Sequence, residues 1–243
     1  YFHNNYSGSY GGGLYIDIYS NSTIGNSYLK ISQSNFFNNR SANEGGALRV
    51  NLNLQGTAAL CEYDIKIDTC NFRSNQSGSG GSAIDISTFG FGNLSANAKL
   101  SLTSCNISNN TASNQTVGNT IVVQSDSTSD INLFKTTIND NNGGAIYNQS
   151  LNLNNQGISY FTIDKSTLYN NSGGGLASNC KTNIAVIRNS TIVNNPIPYS
   201  TSFPGGIRLY HSSSSSTQAL NTIHLTNNII LSNGNSSNQG NIY

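Results

Sequence analysis

Apolar residues along the chain fall into eight copies of one pattern. In each copy a Phe, Ile or Leu stands three residues before an asparagine, and a glycine-rich segment then leads to another aliphatic residue. The copies are 24 to 38 residues apart and begin at Phe2, Phe36, Phe72, Ile107, Ile138, Leu168, Ile192 and Ile230. One copy is too short to bury an apolar face by itself, so the pattern predicts a solenoid of stacked units.

Two further apolar columns precede the motif at fixed distances. Five residues before its first apolar residue stand Ile31, Ile67, Leu102, Leu133, Ile163, Ile187 and Leu225. Seven residues before it stand Leu29, Ile65, Leu100, Ile131, Phe161, Ala185 and Ile223. Columns that lie two residues apart predict a strand whose alternate side chains face a core.

Each copy therefore predicts a strand, a bend, a short strand, an asparagine turn, a glycine corner, a third strand and a variable loop. The shortest spacing, 24 residues, leaves room for three short strands but not for a helix. We expect an all-β fold, a right-handed single-stranded parallel β-helix of about seven to eight coils, with strands about 4.8 Å apart. It forms one domain over residues 1–243 and is expected to be a fragment of a longer solenoid.

The paired F-x-x-N and G-G-A-[I/L/V] motifs resemble the repeats of chlamydial polymorphic outer membrane proteins and of adhesin-like surface proteins with parallel β-helix passengers. Phe36, Asn39 and the segment Gly45-Gly46-Ala47-Leu48 show the pattern in full. The chain departs from it between Ile107 and Ile121, where the glycine pair is lost. The resemblance implies a secreted or cell-surface protein that serves in adhesion or as a stalk.

Composition and charge narrow the functional classes. Only 9% of the residues are charged and the formal net charge is +1, so no basic surface for nucleic acid is expected. No apolar run approaches the roughly 18 residues of a membrane span, which predicts no membrane insertion in this segment. Asn, Ser, Thr and Gly form about half of the chain, a bias typical of disorder, but the regular apolar columns indicate a folded protein.

The asparagine of the motif invites two interpretations, a polar binding stripe or an internal ladder of stacked amides. A ladder would lie at a turn that tolerates left-handed backbone, and it is the favoured interpretation. The glycines that follow are explained by positive φ and by close approach of backbone at a corner. The column contains Asn5, Asn39, Asn75, Asn110, Asn141, Asn171, Asn195 and Asn233.

Catalytic and metal-binding chemistry finds little support. Asp140 could be a cation ligand, but Asn38 and Ser74 replace it in other copies, which favours an outward turn residue. Hydrolysis of polysaccharides needs a pair of carboxylates, and no two adjacent coils place carboxylates at one phase. We therefore expect a non-enzymatic protein without metal or cofactor. The alternative is a polysaccharide-active or glycan-binding β-helix with its site in the loops.

Sequons for N-linked glycosylation occur in the ladder column and elsewhere. Those at Asn5, Asn39 and Asn75 are expected to stay bare, because a buried amide cannot carry a glycan. Covalent glycans are expected instead on sequons in loops or at outward phases, which are Asn21, Asn93, Asn106, Asn109, Asn148, Asn170 and Asn189.

Cys70 and Cys105 hold one phase on successive coils, two residues before the motif. Parallel neighbours lie within the usual Cα separation of a disulfide, so we predict a Cys70–Cys105 bridge in an oxidising, extracellular setting. Two buried thiols are the alternative, since other copies carry small residues there. The sequence leaves the pairing of Cys61 and Cys180 open.

The function that the sequence favours is a structural or adhesive segment of a cell-surface or filament glycoprotein in the extracellular space. Its expected partners are other copies or further chain of the same solenoid, stacked end to end, and possible carbohydrate. Ring faces of tyrosines in or beside loops could stack against sugars, although ordinary surface aromatics are the favoured interpretation. These residues are Tyr15, Tyr19, Tyr28, Tyr147, Tyr160 and Tyr199.

Overall fold

A computed structural model describes residues 1–20, 25–54, 60–90, 95–113, 118–151, 157–196, 205–210 and 220–233. These residues form an all-β parallel solenoid, which confirms the predicted fold class. No helix that is long and apolar enough to span a bilayer occurs within these ranges.

The described residues contain twenty-six strands that recur in the same order from turn to turn, except that one two-residue strand is present on the first four turns only. In chain order they are β1 (Phe2–His3), β2 (Tyr6–Ser7), β3 (Leu14–Ser20), β4 (Gly25–Ser32), β5 (Asn35–Phe37), β6 (Arg40–Ser41), β7 (Leu48–Leu54), β8 (Leu60–Asp68), β9 (Asn71–Arg73), β10 (Gln76–Ser77), β11 (Ile84–Gly90), β12 (Ser95–Thr103), β13 (Asn106–Ser108), β14 (Thr111–Ala112), β15 (Asn119–Ser125), β16 (Thr128–Phe134), β17 (Thr137–Asn139), β18 (Gly144–Ser150), β19 (Ile158–Asp164), β20 (Thr167–Tyr169), β21 (Leu176–Asn179), β22 (Thr182–Arg188), β23 (Thr191–Val193), β24 (Ile207–Tyr210), β25 (Leu220–Thr226) and β26 (Ile229–Leu231).

The strands pair in parallel with their counterparts on the next turn and build four sheets. Sheet A holds β1-β5-β9-β13-β17-β20-β23-β26, and sheet B holds the two-residue strands β2, β6, β10 and β14. Sheet C holds β3-β7-β11-β15-β18-β21-β24, and sheet D holds β4-β8-β12-β16-β19-β22-β25. Seven strands in sheets C and D enclose six full turns, slightly fewer than the seven to eight coils expected.

The predicted apolar columns face the interior in register. Leu100 pairs with Ile65 and Ile131 along sheet D, and all three side chains are buried. Inside sheet A the rings of Phe2, Phe36 and Phe72 stack with centroids 4.7 and 4.6 Å apart. Side chains from sheets A, C and D therefore form one continuous core along the axis.

Glycine pairs turn the corner between sheets B and C, as the sequence predicted. Gly45 adopts a φ of +69°, which favours a residue without a Cβ. A Cβ on Gly46 would overlap the carbonyl oxygen of Ser82 on the next turn. The first glycine thus supplies the backbone conformation and the second allows the turns to approach each other.

Two non-glycine positions per turn adopt left-handed backbone at the bends. One follows sheet D and the other precedes the ladder asparagine, as in Asn38, whose φ is 53°. Asp140 occupies the second position with a φ of 54° and is exposed, so it is the outward turn residue that was predicted. The turn at the ladder therefore contains left-handed backbone, as predicted, and the left-handed residue stands one position before the ladder asparagine.

Candidate functional site

The asparagine column is an internal ladder. The Oδ1 atom of Asn110 accepts hydrogen bonds from the backbone N–H and the Nδ2 of Asn75, at 2.9 and 3.0 Å. Its own Nδ2 donates to Asn141 Oδ1 and to the carbonyls of Phe72 and Ser108. Asn110 has no exposed surface, so these amides stabilise the turn and do not face a ligand.

Sequons in the ladder are a consequence of the same corner. Asn39 and Asn75 are fully buried, as predicted, whereas Asn5 on the first turn is exposed although its amide donates to Asn39 Oδ1. The serines two residues later, Ser41 and Ser77, are buried as well, and their hydroxyls donate to the carbonyls of Asn43 and Ser79. On these two turns the Asn-x-Ser pattern therefore has a structural role in the corner.

The sequons that were expected to carry glycans divide into three groups. Asn106, Asn109, Asn170 and Asn189 are exposed, and their glycosylation stays a prediction. Asn21 and Asn93 lie outside the residues that the structure describes. The prediction for Asn148 is wrong, because this side chain is fully buried.

Asn148 points inward because it continues the alternation that Ile146 begins. It pairs with Val123 on one side and with Ser178 on the other, both of which are buried. Its Nδ2 donates to the hydroxyl oxygens of Ser129 and Ser159, at 2.6 and 2.8 Å. An amide held in this buried polar cluster is not accessible for modification.

The predicted Cys70–Cys105 disulfide is also wrong, because all four cysteines are free and buried. The thiols of Cys70 and Cys105 instead take part in a second hydrogen-bond column. Cys105 Sγ lies 3.4 Å from the carbonyl oxygen of Ile67, and Thr136 on the next turn donates its hydroxyl to the carbonyl of Leu102. The thiols act here as the hydroxyls do, and burial raises the pKa of Cys105 to about 12.

A groove of about 690 Å³ lies along the exposed side of the ladder corner. Its wall contains the left-handed residues Asn4, Asn38, Ser74 and Asn109, together with Tyr6, Arg40, Gln76 and Thr111. The amides hydrogen bond to each other along the axis, as Asn38 Nδ2 does to Asn4 Oδ1 at 2.8 Å. The groove is polar and shallow, and no carboxylate lines it.

Several carboxylates elsewhere on the described surface are paired with cations or amides. On the outer face of sheet D, Asp64 lies 3.0 Å from Lys66 Nζ, and Asp130 lies 3.9 Å from Lys99 Nζ. Asp140 accepts a hydrogen bond of 3.0 Å from Asn170 Nδ2. Within the described ranges, no three His, Cys, Asp or Glu side chains form a group that could hold a metal ion.

The outer face of sheet C carries a buried ion pair. Arg49 on β7 and Asp85 on β11 are register partners, and the guanidinium donates to the carboxylate of Asp85. The Ser87 hydroxyl contacts the same carboxylate. Only 1% of Asp85 is exposed, and burial raises the pKa of its carboxyl to about 6 although Arg49 acts in the opposite direction.

This raised pKa predicts a dependence of stability on pH. Because the folded value lies above the value of about 3.9 in an unfolded chain, the contribution of Asp85 is complete below about pH 4 and is lost as the pH rises through about 6. We expect the free energy of unfolding of the wild type to fall by about 3 kcal/mol relative to Asp85→Asn between about pH 4 and pH 7. Urea unfolding followed by circular dichroism checks this; parallel profiles for the two proteins would contradict it.

A cluster of tyrosines around one carboxylate lies on the same face, one turn before Arg49. Tyr15, Asp17 and Tyr19 alternate along β3 and are all exposed. The Tyr15 hydroxyl donates to Asp17 Oδ2 at 3.1 Å, and Asn51 and Asn53 on β7 donate to Asp17 Oδ1 at 3.0 and 3.2 Å. The charge of Asp17 and a hydrogen bond to it raise the pKa of Tyr19.

Tyr10 extends this cluster toward the ion pair. Its ring lies 6.0 Å from the ring of Tyr15, and the Arg49 guanidinium lies 5.6 Å from the centroid of Tyr10. The sequence placed Tyr15 and Tyr19 in or beside loops, and in the structure they lie near the two ends of strand β3. Tyr199 lies outside the described residues.

Comparison with known proteins gives one match. The model of the Chlamydia polymorphic membrane protein repeat matches residues 104–149, a stretch that contains Cys105, Asn110 and Asn141 and ends after Gly143-Gly144-Ala145-Ile146. Searches of curated proteins and of solved structures found no match. The matched stretch is part of the parallel solenoid, so the chain is a β-helix repeat protein that is similar to polymorphic membrane protein repeats over these residues.

Proposed function

We propose that this β-helix repeat protein is a non-catalytic adhesive segment of a cell-surface protein. The observation that carries the proposal is the division of the molecule into a regular interior and a polar exterior. The repeated residues, Asn110 and Phe36 among them, are buried and structural. The exposed surface differs from turn to turn, which is the arrangement expected of a rod that presents binding residues.

The matched family supports a surface location, since its name describes membrane proteins of Chlamydia. A rod that holds its binding residues away from a membrane needs stiffness. The ladder amides and the parallel sheets supply this stiffness, because each turn is hydrogen bonded to its neighbours along the axis.

The experiment that tests the proposal measures adhesion directly. Beads coated with the folded chain are expected to bind cultured epithelial cells in a saturable way, and soluble chain should compete for this binding. Beads coated with the heat-unfolded chain are the matched control and should bind only at background. Equal binding by folded and unfolded coats would contradict the proposal.

The enzymatic alternative is tested on the same preparation. Incubation with plant, bacterial and animal polysaccharides is expected to release no reducing ends or unsaturated products. Cleavage that persists in a repurified sample would overturn the non-catalytic assignment, and Asp17 and Asp85 would be the first carboxylates to replace.

A further inference from the structure

We propose that the outer face of sheet C at β3 is a binding site for neutral oligosaccharides. The site consists of the rings of Tyr10, Tyr15 and Tyr19 around the carboxylate of Asp17, flanked by Asn51 and Asn53. This proposal rests on the proposed function, because it assigns a class of ligand to the adhesive surface.

The rings of the three tyrosines are exposed to solvent. Tyr10, Tyr15 and Tyr19 are 38, 43 and 60% exposed, whereas Asp85 and Ser87 on the same outer face two turns further along are buried. The tyrosines therefore lie on a more open part of this face than Asp85 and Ser87 do. Exposed ring faces provide the flat apolar surface against which the C–H bonds of a pyranose can pack.

Contacts within the protein hold the rings in place before any ligand binds. Asp17 accepts hydrogen bonds from the hydroxyl of Tyr15 and from the amides of Asn51 and Asn53, and its charge acts on Tyr19. The Arg49 guanidinium, fixed by its ion pair with Asp85, lies 5.6 Å from the ring of Tyr10. Preorganised side chains lose little conformational entropy on binding, which favours affinity for small ligands.

The charges around the three rings favour a neutral ligand. Arg49 is paired with Asp85, so its positive charge is compensated. The carboxylate of Asp17 is surrounded by hydroxyl and amide donors, which sugar hydroxyls can join or replace. No unpaired cation that would select an acidic sugar contacts the three rings among the contacts described for this cluster.

The dimensions of the tyrosine cluster match a short oligosaccharide. Tyr15 and Tyr19 are four residues apart on one strand, about 13 Å, which corresponds to about three linked pyranose rings. The three side chains together expose roughly 300 Å², well below the roughly 800 Å² per partner of a stable protein interface. The cluster therefore fits a short oligosaccharide better than a folded protein.

The test is binding of the wild-type chain to an array of neutral hexasaccharides built from glucose, galactose or N-acetylglucosamine, with sulfated and sialylated glycans beside them. Calorimetry then gives the affinity for the strongest hit. We expect Tyr19→Ala and Tyr15→Ala each to weaken it about tenfold or more, because each removes a stacking surface. Asp17→Ala should weaken binding too, because the ring of Tyr15 loses its hydrogen-bonded anchor.

Tyr28→Ala is the matched control. Tyr28 is 59% exposed and lies on β4 in the next sheet, away from the proposed site, so its removal should leave the affinity unchanged. The unfolding midpoint of each variant shows whether the fold is kept, and Tyr19→Phe retains the ring if Tyr19→Ala fails to fold.

Three results would overturn the inference. They are no binding to any neutral glycan, an affinity that is unchanged in Tyr15→Ala and Tyr19→Ala, or a preference for the acidic glycans. Bead adhesion separates this inference from the proposed function. Adhesion that persists in the Tyr15→Ala/Tyr19→Ala double variant while no glycan binds would refute the glycan site alone. Loss of adhesion in the double variant together with resistance to glycosidase treatment of the cells would indicate a protein ligand and refute the carbohydrate assignment.

Discussion

Asn110→Ala is expected to destabilise the protein by about 4 kcal/mol, near the upper end of single substitutions. The substitution removes the acceptor of the Asn75 backbone N–H and leaves the carbonyls of Phe72 and Ser108 without their amide donor. These groups are buried, so water does not replace the lost partners. Urea unfolding followed by circular dichroism measures the effect.

Asn106→Ala is the matched control for this prediction. Asn106 lies four residues earlier on β13 and its side chain is exposed. Removal of an exposed amide should change the free energy of unfolding by no more than about 0.5 kcal/mol. Equal effects of the two substitutions would show that the ladder contributes no more than a surface amide does.

The consequence for the rod extends beyond one turn. Asn110 links Asn75 on the preceding turn to Asn141 on the following one. In a solenoid each unit contacts only its neighbours, so a defect in one turn weakens the coupling between the two halves. We therefore expect Asn110→Ala to broaden the unfolding transition as well as to shift its midpoint, and Asn106→Ala to do neither.

The fold could be predicted from the sequence because one pattern is repeated eight times. A single Phe-x-x-Asn is weak, but eight copies in register with two apolar columns leave a parallel solenoid as the simplest solution. The pairing of Leu100 with Ile65 and Ile131 follows directly from the alignment of the copies. Periodicity therefore determines sheets and register before any packing is known.

The errors arose where side-chain direction had to be followed beyond the motif. Asn148 stands two residues after the buried Ile146, and strand alternation alone would have placed it inside. Tyr15, Asp17 and Tyr19 stand one, three and five residues after Leu14. The same alternation on β3 predicts that these three side chains face outward. The sequence predicted a third strand after the glycine corner, but its alternation was not followed as far as these residues.

The buried ion pair and the state of the cysteines could not be predicted from the repeated pattern, because they depend on residues that differ from copy to copy. Arg49 and Asp85 can be aligned as neighbours, but the burial of the ion pair depends on what covers this face, and no repeat encodes that. Cys70 and Cys105 are neighbours too, yet each thiol donates to a backbone carbonyl as Thr136 and Ser190 do. Proximity of two cysteines in a column is thus not sufficient for a disulfide.

Phe36→Ala is expected to destabilise the protein by about 3 to 5 kcal/mol. The Phe36 side chain has no exposed surface, and its ring lies between Phe2 and Phe72 with interplanar angles of 4° and 2°. Alanine would leave a cavity between two rings that the sheet hydrogen bonds hold apart, so neither ring can move in to fill it. Each lost stack adds about 0.5 to 1.5 kcal/mol to the burial that is lost.

The neighbouring residue supplies the control. Phe37 is 46% exposed and points outward from the same strand, so Phe37→Ala should change the free energy of unfolding by less than about 1 kcal/mol. Phe36→Leu should fall between the two, because Leu168 and Ile138 fill the same column on later turns. Equal destabilisation by Phe36→Ala and Phe37→Ala in urea unfolding would contradict the assignment of inner and outer faces on which the core, the ladder and the tyrosine site all depend.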